Sequence, residues 1–289
     1  MYSAEFDYYR ANSVAEASDL LKKHPGAKLL AGGHSLIPIM KLRLASPSAL
    51  IDIGRIADLK GITVAGNAIR IGALTTHAEL AASNDLADKC PALSDAARQV
   101  GDPAVRNRGT IGGNVAHADP ASDLPTVLCA LGATFIVATP GGGTNTVDAS
   151  AFFTGMMTTA LGEHDVLTAI QVPVKQSGQG MAYVKFEHPA SRYAVIGAAA
   201  TVTVAGGTCT AATVAVGGLV PRPVRAASVE KALAGQPLTA ENIARAAALV
   251  AQDLGDDILG DIYASAEYRK ATAPVWIKRA LSAAAGRTK

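Results

Sequence analysis

Two short segments each set adjacent glycines among hydroxyl, imidazole or amide side chains: Ala31-Gly32-Gly33-His34-Ser35 and Thr110-Ile111-Gly112-Gly113-Asn114, about eighty residues apart. Glycine has no Cβ, so the backbone there can approach another surface closely. Successive N–H groups can also face one way, as an anion-binding concavity requires. A fold that uses both segments must bring two distant stretches of chain to one place, where they can grip the two phosphates of a dinucleotide from opposite sides. Taken singly, either pair also reads as a tight turn, because glycine is the default turn residue.

The commoner phosphate motifs are missing. No G-x-G-x-x-G follows a first strand, and there is no G-x-x-x-x-G-K-[ST]. Gly141-Gly142-Gly143, between Pro140 and Thr144, reads as a hairpin turn. The six histidines show no H-E-x-x-H or other metal-ligand spacing, and neither a G-x-S-x-G elbow nor a catalytic Cys/His signature is present. Any chemistry on this chain therefore belongs to a cofactor.

Local signals order the chain. Ser13-Val14-Ala15-Glu16 is a capping box that opens an amphipathic helix ending before Pro25-Gly26. Ala27 to Leu30 is a short strand into the first glycine segment, Leu36 to Leu44 is helical, and Leu50 to Ile53 is a strand. This β-α-β order places the first glycine segment at a strand's carboxyl end, where the following helix turns its N–H groups outward. Ile62 to Val64 and Ile69 to Ile71 flank Gly66-Asn67 as a hairpin, and Thr76-His77-Ala78-Glu79 is a second capping box. Helices are expected over Pro91 to Val100 and Ala121 to Leu131, and a strand through Ile136. Composition shifts to Pro, Gly, Gln and Ser near Pro173 to Gly180, the expected boundary between a unit of residues 1–175 (itself divided near 55–60) and one of residues 176–289. Strands follow over Met181 to Glu187, Tyr193 to Val204 and Cys209 to Gly217, then helices over Thr239 to Leu254 and through Trp276 to Leu281. The mixture is α+β rather than a regular alternation.

Composition excludes several classes. With 26 basic and 24 acidic residues the net charge is +2, so no strong field favours nucleic acid or an anionic surface. Cys90, Cys129 and Cys209 are scattered and form no C-x-x-C, which argues against a cluster, a structural zinc or a disulfide framework held by this chain alone and suits a reducing cytoplasm. The stretch from Ala194 to Val220 carries no charge, but its Gly206-Gly207 break and strand-like flanks make it a buried hairpin rather than a membrane helix. Met1 to Glu5 does not read as a signal peptide.

The flanks of the glycine pairs are specific. Leu30 to Pro38, Arg106 to Asn114, and Ala118-Asp119-Pro120-Ala121-Ser122-Asp123-Leu124-Pro125 closely resemble the FAD-binding medium subunit of molybdenum hydroxylases, the xanthine dehydrogenase and carbon monoxide dehydrogenase family. The resemblance runs from Phe6-Asp7-Tyr8-Tyr9-Arg10 to Tyr268-Arg269-Lys270, and Ala31 to Lys41 is most like the carbon monoxide dehydrogenase members.

The resemblance implies a two-part FAD-binding domain of the vanillyl-alcohol-oxidase type followed by a smaller α+β domain. It implies FAD held non-covalently by Ala31, Gly32, Gly33, His34, Ser35, Thr110, Ile111, Gly112, Gly113 and Asn114, with His34 on phosphate or ribityl rather than bonded to the flavin. Asp123 would bind the ribityl hydroxyls, with helix capping as its plain alternative; Arg106 and Arg108 would balance phosphate charge or stand solvated. Lys185-Phe186-Glu187-His188-Pro189-Ala190-Ser191-Arg192-Tyr193 resembles the segment that reaches over the flavin. There Lys185 would polarise the ring, and Tyr193 would cover it or pack in the core. Two departures are Arg192, where many members carry an acid before the aromatic, and Ala11, where proline is usual.

The implied role is an oxidoreductase subunit with no catalytic or metal-binding residue of its own. It would take electrons from [2Fe–2S] clusters on a small subunit, fed by a large molybdopterin subunit, within a dimer of heterotrimers in the cytoplasm or at the inner membrane face. Carbon monoxide, aldehydes, xanthine and N-heteroaromatics stand as substrates of the assembly, and quinone, oxygen or a carrier as acceptor. An assembly subunit with a degenerate flavin site and a self-sufficient flavin oxidase are the rival readings.

Overall fold

The computed structural model describes residues 2–288. A parallel three-stranded sheet comes first, built from β1 (Asp7–Arg10), α1 (Val14–Lys23), β2 (Lys28–Leu30), α2 (Leu36–Lys41) and β3 (Ala49–Asp52) in the strand order β1-β3-β2. The Ser13 hydroxyl accepts the Glu16 N–H and caps α1, while the Glu16 carboxylate takes the Asn12 N–H at 2.7 Å, so only half of the expected box forms. The apolar face of α1, with Ala17 and Leu21, packs on Ile51 and Ile53.

The chain then crosses to a five-stranded antiparallel sheet. The hairpin β4 (Ile62–Ala65) and β5 (Ala68–Gly72) leads into six helices: α3 (His77–Ala82), α4 (Asn84–Lys89), α5 (Pro91–Gln99), α6 (Pro103–Arg108), α7 (Ile111–His117) and α8 (Asp123–Leu131). It returns through β6 (Thr134–Thr139), β7 (Gly143–Asp148), α9 (Ala149–Phe152), the small ribbon β8 (Phe153–Gly155) and β9 (Thr158–Thr159), and β10 (Val166–Pro173), giving the order β4-β5-β10-β6-β7. At α3 both halves of the Thr76–Glu79 capping box are present.

The third sheet is antiparallel, β11 (Gln179–Glu187), β12 (Ala194–Ala205), β13 (Thr208–Gly217) and β14 (Val224–Arg225), followed by α10 (Ala227–Leu233), α11 (Ala240–Ala247) and α12 (Ala266–Ala285). Its strands are covered on both faces. Ala199 and Ala215 join the core that holds Leu124 and Leu128 of α8, while Ala198, Ala200, Val214 and Val216 join the core of Ile277 and Leu281 of α12. That double burial is why the stretch from Ala194 to Val220 shows no polar alternation. The same period of two along β11 sends Met181 and Tyr183 to the α8 side and Ala182 to the α12 side. Lys185 falls on the α8 side, where it meets Asp123 at the start of that helix.

Two expected elements differ. The helix expected over Thr239 to Leu254 ends at Ala247 and tightens to a 3₁₀ turn over Ala248–Gln252. The tighter winding ends at Asp253, whose carboxylate accepts from the Ser228 N–H and hydroxyl. The second glycine segment is not a loop: Thr110 is the N-cap and Gly112 and Gly113 lie in the first turn of α7.

Candidate functional site

The two glycine segments meet. Gly32 lies so close to the Arg108 carbonyl that an added Cβ would sit on it, and a Cβ on Gly113 would come within 3.8 Å of Ala31 Cβ. Beside this junction opens a cavity of about 900 Å³, within the ~300–1,000 Å³ range usual for cofactor sites. Ala31, Gly32, Gly33, His34, Ser35, Thr110, Gly112, Gly113, Asn114, Asp123 and Tyr193 all line it. Further lining comes from Leu21, Lys28 and Ser46 of the first sheet region, from Met157, Thr158, Thr159 and Leu161, and from His164 and Asp165.

The two glycine segments serve this cavity differently. Gly33 has φ +75°, a left-handed value that glycine accepts without strain. Among the described residues, the N–H groups of Gly33, His34 and Ser35 find no acceptor, and Ser35 makes no capping bond with its side chain. They form an unfilled set of donors on the cavity wall. In the second segment the N–H groups from Ile111 to Asn114 are all taken. Ile111 donates to the Thr75 carbonyl (2.9 Å), Gly112 to that of Ala73 (2.8 Å), Gly113 to the Thr110 hydroxyl (3.1 Å) and Asn114 to the Thr110 carbonyl (3.0 Å). What this second wall offers is close backbone and side chains. The Ser122 hydroxyl donates to Asn114 Oδ1 at 2.8 Å, which leaves the Asn114 Nδ2 protons without an acceptor among the described residues.

Other expected residues fall elsewhere. Ile111 is fully buried in the core and does not line the cavity. Lys185 does not line it either. Its Nζ donates to Asp123 Oδ2 (3.2 Å) and to the carbonyls of Gln99 and Arg192 (2.7 Å each), so its three protons are committed beneath the wall. Lys185 reaches the cavity only through its partners, because the pleat of β11 points it at α8 rather than at the opening. Arg106 turns to the Val100 and Gly101 carbonyls, 3.0 Å each, rather than to the cavity. His34 Nδ1 lies 3.2 Å from the Gly32 carbonyl.

Asp123 both begins α8 and borders the cavity. Tyr183 donates to its Oδ1 at 2.6 Å and Lys185 completes an ion pair at 3.1 Å. Burial pushes the Asp123 carboxyl up to about 6, with Lys185 and the Tyr183 hydroxyl pulling in the opposite direction. Tyr193 is not a core aromatic: it is 46% exposed, at the end of the 188–193 turn in which Arg192 takes φ +61°. His77, which the sequence shows only as part of a capping box, also lines the cavity, and nothing in that local motif signals it.

The donor set suits a phosphate-bearing dinucleotide, with unpaired N–H groups for the anion and a carboxylate near Tyr193. Comparison with known proteins agrees. Residues 4–175 match the model of the FAD-binding domain in molybdopterin dehydrogenase, and residues 181–284 that of the CO dehydrogenase flavoprotein C-terminal domain. The chain belongs to the FAD-binding medium-subunit family of the molybdenum hydroxylases. The carbon monoxide dehydrogenase medium chain of Hydrogenophaga pseudoflava is 39% identical over 287 residues, 98% of each chain. The glyceraldehyde dehydrogenase medium chain of Sulfolobus acidocaldarius is 36% identical over 280 residues, 97% of this chain and 98% of that one. A solved carbon monoxide dehydrogenase from Hydrogenophaga pseudoflava that lacks the Mo-pyranopterin moiety superposes with a TM-score of 0.95 at 40% identity, covering 99% of both chains. This medium subunit is thus a component of an oxidoreductase. Among the described residues no helix is long and apolar enough to cross a membrane.

Proposed function

We propose that this medium subunit holds FAD non-covalently in the cavity and relays electrons within a molybdenum hydroxylase. The carrying observation is the set of unpaired N–H groups at Gly33, His34 and Ser35 on the wall of a cavity that Asn114 and Asp123 also border. Bound flavin supplies a centre that accepts two electrons and releases them one or two at a time. The glycine segments and Ser35 would hold the pyrophosphate, Asp123 the ribityl chain, and Tyr193 would shield the ring. His34 would be a polar contact and not a covalent anchor. Residues 1–175, divided near 55–60, would form the FAD-binding unit and residues 176–289 the second.

The donors of electrons would be [2Fe–2S] clusters on a small subunit, supplied by a molybdopterin subunit, in a cytoplasmic dimer of heterotrimers that delivers to an external acceptor. Carbon monoxide is the favoured substrate of the assembly, supported by the full-length likeness to two carbon monoxide dehydrogenase medium chains. Aldehyde and nicotine-type substrates of other relatives are the alternatives.

Purification of the chain with its bound flavin tests the cofactor reading. Acid denaturation is expected to release all the yellow colour to the supernatant. Colour that stays with the precipitate would make His34 an anchor, and a colourless native chain would favour a degenerate site. Co-purification and mass spectrometry of the partner subunits test the assembly and its substrate class.

A further inference from the structure

From Ile111 to Asn114 the second glycine segment has no N–H group to offer, yet it forms one wall of the cavity. The stretch of chain that takes its Ile111 and Gly112 N–H groups, Ala73 to Thr76, runs directly into His77 at the start of α3. The His77 N–H donates to the Gly109 carbonyl at 3.0 Å, and its ring lies so close to Gly109 that a Cβ there would stand 2.8 Å from Cδ2 and 3.0 Å from Nε2. The residue is 3% exposed and lines the cavity. Its Nδ1 is enclosed and has no hydrogen-bond partner among the described residues. Nε2 also has no partner among the described residues but is not enclosed, in a residue that lines the cavity.

A buried side chain with two unpaired nitrogens is unusual, since buried polar atoms nearly always find a partner. Burial, together with the nearby Arg106 and His34, pushes the imidazole down to about 4, so the ring is neutral and carries one proton. An enclosed N–H without an acceptor costs more than an enclosed bare nitrogen, which assigns the proton to Nε2.

We propose that His77 is a further contact for the bound dinucleotide, its Nε2–H donating to a pyrophosphate oxygen. It supplies the donor that Gly112 and Gly113 cannot, beside Gly109, whose backbone packs against Gly32 of the first segment. The inference rests on the FAD reading given above. It makes His77, with Asn114, the phosphate-binding part of the second wall, and gives the glycines of that wall the task of letting the dinucleotide come close.

The test uses the full chain with 15N-labelled histidine, freed of flavin and refilled with FAD or with riboflavin, which has no phosphate. The His77 Nε2–H resonance, assigned by its loss in His77→Gln, is expected to shift with FAD and to stay in place with riboflavin. His77→Phe keeps a planar ring and removes the donor. It is expected to weaken FAD binding roughly 10- to 100-fold, the worth of one hydrogen bond to a charged group, with riboflavin binding unchanged. His77→Gln, whose amide can take the place of Nε2–H, is expected to recover part of the loss. A His77 resonance unmoved by FAD, or equal FAD affinity in His77→Phe, overturns the inference while leaving the FAD reading intact. The labelled wild type decides the matter if His77→Phe does not fold. A wild-type chain that takes up no FAD overturns the cofactor reading and this inference together.

Discussion

Lys185 has a fully enclosed side chain, and its ammonium protons meet Asp123 and the carbonyls of Gln99 and Arg192. One cation thus ties together the end of α5, the start of α8 and the turn that carries Tyr193. The pH behaviour of Asp123 follows from this. Its folded value of about 6 lies above the ordinary 3.8, so its contribution to stability is complete below 3.8 and is lost as pH rises through 6. Lys185→Met removes the strongest influence that keeps the carboxyl ionised, so the carboxyl rises above 6 and the window of loss moves toward neutral pH. The variant is expected to lose about 3–5 kcal/mol at pH 8, where Asp123 is left as an unpaired buried charge, and less at pH 5, where it takes up a proton. Urea unfolding at the two pH values checks this, and an equal loss at both would contradict it. Gly33→Val tests the cavity wall itself. It forces a β-branched residue to φ +75° with its Cβ 3.1 Å from Ile37 Cγ1 and 3.2 Å from Leu30 Cδ1. A folded, colourless protein is expected, and full flavin occupancy by visible absorbance would sink the role given to this segment. The glycine pairs were legible because their chemistry is local. The state of their N–H groups was not, because the acceptors Ala73 and Thr75 come from a strand end far back in the chain. Lys185 was misread for a similar reason: its direction depends on what β11 faces.

Where an element announced itself by local pattern, the sequence reading located it: the Gly66-Asn67 hairpin, the Thr76 capping box, and the uncharged β12–β13 hairpin turning at Gly206-Gly207. Elements defined by distant partners escaped it. β1 is short and mostly exposed, and it exists through parallel pairing with β3. β10 sits at the centre of the second sheet between β5 and β6, with a register shift between Leu167 and Ala169 that blurs its alternation. Joining the third sheet to the rest also depends on distant contacts. The Ala194 and Gly218 N–H groups donate to the carbonyls of Ala121 and Pro120, just ahead of Asp123. Arg269 of α12, 6% exposed, donates to the carbonyls of Gly218 (2.9 Å), Val195 (3.4 Å) and Ala264 (3.1 Å) and pairs with Asp261. Arg269→Met fills the space but leaves these buried acceptors unpaired, at about 1–3 kcal/mol for each group that finds no substitute. The expected result is a lower urea midpoint, with faster amide exchange at Ala194 and Gly218. Unchanged exchange there would mean that the helix does not brace this junction.

At the scale of the whole molecule, the proposed relay predicts a chain that does not reduce its own flavin. A [2Fe–2S] centre needs four ligands, usually thiolates. Cys90, Cys129 and Cys209 are free and buried, and burial pushes the first two up to about 12, so they remain protonated thiols inside packed cores. Tyr193, on the turn to which Lys185 donates, borders the cavity and is half-exposed. On the proposed relay, electrons arrive from another chain, and the docking face is expected to lie near Tyr193. The purified chain is expected to show flavin absorbance alone and no bleaching by carbon monoxide, aldehydes or purines under anaerobic conditions. Addition of the iron–sulfur and molybdopterin subunits is expected to restore bleaching by the substrate of the assembly. Tyr193→Ala, which removes an aromatic bordering the cavity without touching the core, is expected to leave FAD content near normal and to slow flavin reduction in the complex, read by stopped-flow absorbance. Bleaching of the flavin by substrate in the isolated chain would contradict the relay and make the subunit an oxidase in its own right.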